Sequence, residues 1–327
     1  MAQPFKILHL PTLPLKNVLQ FLNPIELFEL SQCSQKTRFN IPLAGTKKFH
    51  CRINVGSYCI VINNYVFLVE NNRDKTDYRY INEFRGNRKF METIVDVAYK
   101  WERRIISFWD NTFIGLKNVL FHVTEVFGCP INALTWSWPM PAEIYNSIID
   151  FMITRQSEIK KLTIGGVSLT DEDVMKIFRS LKITEDLEMR YQFSRPQTIP
   201  FNTKSVLIWH SHWITPTHLS AMKNCLIIDL KQSTLTDDDM KWLLESWKSG
   251  EYPNLEYLSI KSTALSSNFT VFGLPSLQDN VNPHLLEKHI LGESRLIHRT
   301  IDIQRGDGAP AKIHFDGKDG TVALLVL

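Results

Sequence analysis

Leu15, Val18, Leu19 and Leu22 recur at i, i+3, i+4 and i+7, which lays four apolar side chains along one face of a short helix. That helix ends at Asn23-Pro24, and a second begins there. Asn23 is placed to cap it, Pro24 takes N1 where its missing N–H costs nothing, and Glu26 at N3 can reach back to the cap. Ile25, Leu27, Phe28 and Leu30 supply its apolar positions, and Ser34 offers a further cap before Gln35 to Phe39. Three short helices in about forty residues carry more apolar surface than they can bury alone, so a partner surface is expected.

From Phe49 the period changes to two. Phe49 to Val55 and Cys59 to Val69 read as strands, broken by turns at Gly56-Ser57 and Asn63-Asn64, and predict a small β-meander. The polar run from residue 70 to 89 reads as a loop, and Phe90 to Trp109 and Phe113 to Phe127 have the spacing of helices that brace the C-terminal part of the chain.

Further along, a short strand-like cluster recurs every 20 to 30 residues: Leu134-Thr135-Trp136, Leu162-Thr163-Ile164, Leu187-Glu188-Met189, Leu207-Ile208-Trp209, Ile228-Asp229-Leu230 and Leu258-Ser259-Ile260. Between clusters lie helical stretches, of which Thr170 to Phe178 and Thr236 to Leu244 are near copies. A strand plus a helix at this period is the spacing of leucine-rich repeats, where a unit buries its apolar face only by stacking on its neighbours. A conventional βα sheet gives the same alternation and stays open as an alternative. If residues one and three of each cluster face inward, Thr135, Ser137, Thr163, Glu188, Arg190, Ile208, His210, Asp229, Lys231, Ser259 and Lys261 point out as one polar row. Arg305 to Gly308 reads as a turn between two strands, and Val322 to Leu327 as a third.

Composition narrows the function classes. Hydrophobic residues make up 44% and charged residues 22% of 327, so a folded chain is expected rather than a disordered or fibrous one. The formal charge, 37 − 34 = +3, is spread without long blocks and argues for neither a nucleic-acid nor a membrane partner. No apolar run reaches the 18 residues of a spanning helix, and prolines at 4, 11 and 14 interrupt the start where a signal peptide would be continuous. Five cysteines with no C-x-x-C pair suit reduced thiols, so a cytoplasmic or nuclear location is expected.

Catalytic chemistry finds no foothold. There is no G-x-S-x-G, Walker loop or G-x-G-x-x-G. Asp171, Glu172 and Asp173, and likewise Asp237, Asp238 and Asp239, follow a Thr and open a helix, which makes them first-turn caps rather than metal ligands. His210 with His212, and His284 with His289, lack a third ligand, so no metal and no cofactor are assigned. Trp136, Trp138, Trp209, Trp213, Trp242 and Trp247 fall at repeat positions and read as core.

The N-terminal segment resembles an F-box. Phe5, then Leu10-Pro11, then Pro14-Leu15-x-x-Val18-Leu19-x-x-Leu22, then Ile25-Glu26-Leu27-x-x-Leu30-Ser31-x-Cys33-Ser34 carry the resemblance over about residues 4 to 44, with Thr37 where many members have Trp. The later chain resembles the F-box-associated type 2 region of the expanded nematode F-box family, through Ile183 to Leu187, Ile228 to Met240 on through Trp247 to Leu255, and Ile301 to Gly308. With the periodicities above, an α+β fold is expected: a three-helix F-box over 1–45, a β-meander with bracing helices over 46–127, and an irregular leucine-rich-repeat-like α/β, F-box-associated region over 128–327. The resemblance implies a non-enzymatic adaptor that binds the Skp adaptor, and through it a cullin, by Leu10, Pro11, Leu15, Val18, Leu19, Leu22, Leu27 and Leu30. An unknown target protein would be held by the C-terminal row, with Glu188, Arg190, His210, Asp229, Lys231 and Lys261 as its candidates. The alternatives from other classes are an F-box scaffold acting outside ubiquitination and a hydrolase or metal enzyme in the repeat region. Residues 46 to 327 are expected to fold without the F-box.

Overall fold

In the computed structural model the chain divides into two units, Met1–Ile159 and Lys160–Leu327. The structure describes residues 7–76, 83–136, 141–165, 169–273, 285–316 and 319–327. Phe5, Ser137, Trp138 and His284 therefore lie outside the described residues.

The first unit opens with helices α1 (Thr12–Gln20), α2 (Pro24–Cys33) and α3 (Gln35–Asn40). The local signals act as the sequence suggests. Asn23 accepts from the N–H groups of Ile25 and Glu26 while Glu26 accepts in return from the Asn23 N–H. Ser34 caps α3, with Thr37 as its reciprocal partner. Thr37 is therefore a buried capping residue.

Strands β1 (Cys51–Asn54), β2 (Cys59–Ile62), β3 (Tyr65–Asn71), β4 (Glu83–Phe90), β5 (Thr93–Lys100) and β6 (Arg104–Trp109) come next. Helix α4 (Thr112–Phe127), strand β7 (Ile131–Trp136) and helix α5 (Ala142–Ile153) complete the unit. Its strands lie in the order β7-β1-β2-β3-β6-β5-β4. Pairs β1/β7 and β3/β6 run parallel and the others antiparallel.

The fold corrects two expectations. The segment Phe90 to Trp109 is not a helix but the β5–β6 hairpin and the end of β4. Its apolar residues look helical because both faces of the sheet are covered: neighbours Val97 and Ala98 point to opposite sides and both are fully buried, Ala98 in a separate cluster with Leu68, Ile106 and Phe108. The polar stretch 70 to 89 likewise holds the end of β3, a short 3-10 helix over Asn72–Thr76 and most of β4 rather than one loop. Gly115 lets α4 approach β6, since a Cβ there would meet Trp109 Cγ at 2.5 Å.

The F-box helices share this unit's core. Phe28 of α2 is fully buried, stacked on Phe90 at 5.2 Å and edge-on to Phe67 at 5.4 Å and His122 at 5.9 Å. This ring joins residues far apart in sequence and bears directly on the expectation that residues 46 to 327 fold without the F-box.

The second unit runs β8 (Glu158–Ile164), α6 (Asp171–Ser180), β9 (Lys182–Met189), β10 (Ser205–Ile208), α7 (Pro216–Ala221), β11 (Ile227–Ser233), α8 (Asp237–Lys248) and β12 (Tyr257–Ser262). It then adds a separate hairpin of β13 (Leu286–Ile290) and β14 (Glu293–Ile297), and after it β15 (Ile301–Gln304), β16 (Pro310–Asp316) and β17 (Thr321–Val326). Strands lie in the order β8-β9-β10-β11-β12-β17-β16-β15, with β9 to β12 parallel and β12/β17, β17/β16 and β16/β15 antiparallel. Thr170 and Thr236 head α6 and α8 in capping boxes with Asp173 and Asp239, so the acidic triplets sit in first turns. Trp136 in the first unit and Trp213 and Trp247 in the second are fully buried, whereas Trp209 is 42% exposed and departs from the core assignment.

Candidate functional site

The molecule presents two candidate binding surfaces, one on each unit. On the first unit, the predicted F-box residues separate into two roles. Leu15, Leu19 and Leu27 are buried in the unit's own core. Leu10, Leu22 and Leu30 are half-buried, and Pro11 and Val18 are exposed. Among the described residues, Leu13, Phe21 and Phe39 join Val18 as exposed large apolar side chains, Phe21 at 90%. Pattern reading missed these three because they fall off the stripe that the chain buries for itself.

Beside α2 runs an open groove of about 1170 Å³ lined by Leu22, Ile25, Glu26 and Leu30 on one side and by Trp101 and Glu102 on the other. Trp101 and Glu102 form the β5–β6 turn with φ of 54° and 53°, a left-handed pair usually given to Asn-Gly. Trp101 stays 71% exposed, held between the Lys100 ammonium at 4.5 Å and the Arg104 guanidinium at 5.4 Å.

The groove is held in place through Glu29. Its carboxylate accepts from Arg88 Nε at 2.9 Å and Nη2 at 2.6 Å, and from the Tyr99 hydroxyl, which ties α2 to β4 and β5. Burial, reinforced by Glu29, pushes the Tyr99 hydroxyl well above its ordinary value, and Glu29 raises Arg88. Replacing Glu29 by Ala is expected to cost about 1–3 kcal/mol, because it leaves a guanidinium and a phenol half-buried without their acceptor. A urea titration checks this, and an Arg88→Met variant combined with it should recover part of the loss.

On the second unit the register and burial of the strands match the expected outward row only in part. Glu188, Asp229 and Ser259 do share the face opposite the helices, with Leu207 registered between Glu188 and Asp229. The row is one residue out of phase on β10: Val206 and Ile208 are buried, so Ile208 is not outward, and Leu207 and Trp209 take the outward positions. Asp229 and Ser259 are themselves buried, contrary to a wet face. The reason is the β13–β14 hairpin, whose Ile290 and Ile297 pack with Ile227, Tyr257, Ala323 and Leu325 over the N-terminal ends of β11 and β12. Arg295 stacks on Tyr257 at 5.6 Å, and a cavity of about 240 Å³ remains under the hairpin, beside Lys161, Asp186 and Lys204. Burial raises Asp186 above the ordinary carboxylate range.

The C-terminal ends of the same strands stay open. There Glu188 accepts from Arg190 Nε at 2.7 Å and from Trp209 Nε1 at 3.1 Å, and the Arg190 guanidinium lies 5.5 Å from the Trp209 ring. Lys231 pairs with Asp229 at 2.7 Å, His210 Nδ1 meets Gln232 Oε1 at 2.6 Å, and Lys261 is exposed. No group of three or more His, Cys, Asp or Glu side chains is placed to hold a metal among the described residues, and no described helix is long and apolar enough to cross a membrane.

The helical N-terminal segment leaves apolar side chains outside its own core, and the parallel strands of the second unit carry exposed aromatic and charged side chains at their C-terminal ends. Residues 7–41 match the F-box domain and residues 195–260 match an F-box-associated domain. The chain therefore carries an F-box segment near its N-terminus and an F-box-associated segment in its second unit. It is 25% identical over 275 residues to an uncharacterized protein of Caenorhabditis elegans, covering 77% of this chain and 62% of that one. It is 23% identical over 128 residues to the Skn-1 dependent zygotic transcript 15 protein of the same organism, covering 39% of this chain and 35% of that one. The chain thus spans less than two thirds of the length of either relative. No solved structure matches it significantly.

Proposed function

We propose that the chain is the substrate-recognition adaptor of a cullin-type ubiquitin ligase, docking on the Skp adaptor through the F-box and holding a target on the open, leucine-rich-repeat-like sheet of the second unit. The observation that carries this reading is the division of labour in the F-box. Leu15, Leu19, Leu27 and Phe28 are used inside the unit, which leaves Leu13, Val18, Phe21 and Phe39 exposed on a segment that has no need of them for its own fold. Leu10, Pro11, Leu22 and Leu30 extend that surface. The buried residues shape it rather than touch the partner. Such an adaptor works by proximity: it holds a target lysine near charged ubiquitin and supplies no catalytic group itself. The setting is cytoplasmic or nuclear.

Pull-down with a recombinant Skp adaptor tests this. Val18→Glu combined with Phe21→Ala changes exposed positions and should leave the unfolding midpoint unchanged while weakening adaptor binding by at least about tenfold. Unchanged binding by the folded double variant would sink the assignment.

A further inference from the structure

At the C-terminal ends of four consecutive strands of the second unit, the outward positions come as i, i+2 couples: Glu188 on β9 with Arg190 just past its end, Leu207 on β10 with Trp209 just past its end, Asp229 with Lys231 on β11, and Ser259 with Lys261 on β12. The first members form a recessed row and the second members an outer one. The recessed carboxylates are covered, with side chains 24% and 9% exposed for Glu188 and Asp229, against 49% and 33% for their partners Arg190 and Lys231. Solvent therefore meets two cations of these pairs rather than neutral pairs, and Lys261 adds a third with no carboxylate partner among the described residues. Between them stands Trp209.

Each group is pre-organised. The bond from its indole N–H to Glu188 and the guanidinium of Arg190 on its ring fix Trp209 without burying it. Trp and Arg are both among the side chains enriched in binding hot spots. Glu188 engages the Nε–H of Arg190, and a guanidinium has four further N–H donors. The Lys231 ammonium lies 2.7 Å from Asp229 as an ion pair and carries three N–H donors, so an incoming carboxylate need not break either pair. Four strands about 4.8 Å apart make a strip of roughly 14 Å, the reach of four to five residues of extended chain at about 3.3 Å each.

We propose that Arg190, Trp209, Lys231 and Lys261 form a docking strip for a short, extended acidic segment of the target, with its carboxylates on the three cations and an apolar side chain against Trp209. The assignment rests on reading the second unit as target-binding. The charge complementarity selects the occupant: each cation is more exposed than the carboxylate it pairs with, and Lys261 is exposed as well.

Selection of a randomised peptide library on the full-length chain tests it. Retained peptides should be enriched in Asp and Glu around an aromatic or aliphatic residue, and the enrichment should vanish on the Trp209→Ala, Arg190→Glu, Lys231→Glu variant. A selected peptide, fluorescein-labelled, should bind at least about tenfold more weakly to Trp209→Ala than to the wild type and lose affinity as salt rises. Trp209→Phe should keep part of it, and an unchanged thermal transition shows that the variants are folded. Peptides without acidic enrichment, selection of phosphorylated peptides alone, or equal capture of an oligonucleotide would each overturn the strip. Skp-adaptor pull-down from the same preparation separates the two proposals. If it succeeds while acidic peptides fail, only the strip is wrong, and if it fails while they bind, the ligase reading is wrong and the strip stands.

Discussion

Replacement of Phe28 by Ala is expected to destabilise the first unit by about 3–5 kcal/mol, a large part of the stability of an ordinary domain. The ring has no exposure and touches residues contributed by β3, β4 and α4, so its removal opens a cavity that four elements cannot close together. Chemical denaturation followed by the tryptophans of this unit checks the figure. A fall below about 1 kcal/mol would mean that the F-box helices fold apart from the sheet, as the sequence pattern alone suggested. Deletion of residues 1–45 removes the same ring together with Leu19 and Leu27, so the remainder of the unit is expected to aggregate or melt early.

His122 should make the same unit acid-sensitive. Burial first, and then the charges of Arg38 and Lys89, lower its pKa from 6.5 to about 4. Its Nδ1 accepts from the Met91 N–H at 3.1 Å, so the neutral ring ties α4 to the β4–β5 turn. Glu125, the one carboxylate nearby on α4, is engaged by Arg38 at 2.9 Å and so does little to favour the imidazolium. The unfolded chain takes up this proton near pH 6.5 and the folded one only near pH 4. The stabilisation is therefore complete above about pH 6.5 and is lost as the pH falls towards 4, by about 3 kcal/mol in all. Protection factors of the α2 and α4 amides, taken relative to intrinsic exchange at each pH, should fall over that interval in the wild type. In a His122→Gln variant the same interval should show a much shallower change, although the variant is less stable at neutral pH. Equal slopes in the two proteins would rule out this histidine as the source.

What could be read from the chain alone was set by neighbours in sequence. Asn23-Pro24 with Glu26, Thr170 with Asp173 and Thr236 with Asp239 satisfy helix N–H groups three residues away, and such signals survive in any context. The F-box stripe, α4 and the C-terminal strands were legible for the same reason, as was the alternation of β1, β2 and β3. Tertiary structure decided the rest, because burial is a property of what lies opposite. Val97 and Ala98 look like part of a helix until the sheet covers both of their faces. Leu207-Ile208 is apolar twice over, so only pairing with Glu188 and Met189 tells which of the two points inward, and that single step brings Trp209 to the surface. The same holds for Glu29, Arg88 and Tyr99, and for the hairpin that dries Asp229 and Ser259 while leaving the cationic ends of their strands in water: the groups that meet there are tens of residues apart, and no local period records which of them the fold will bring face to face.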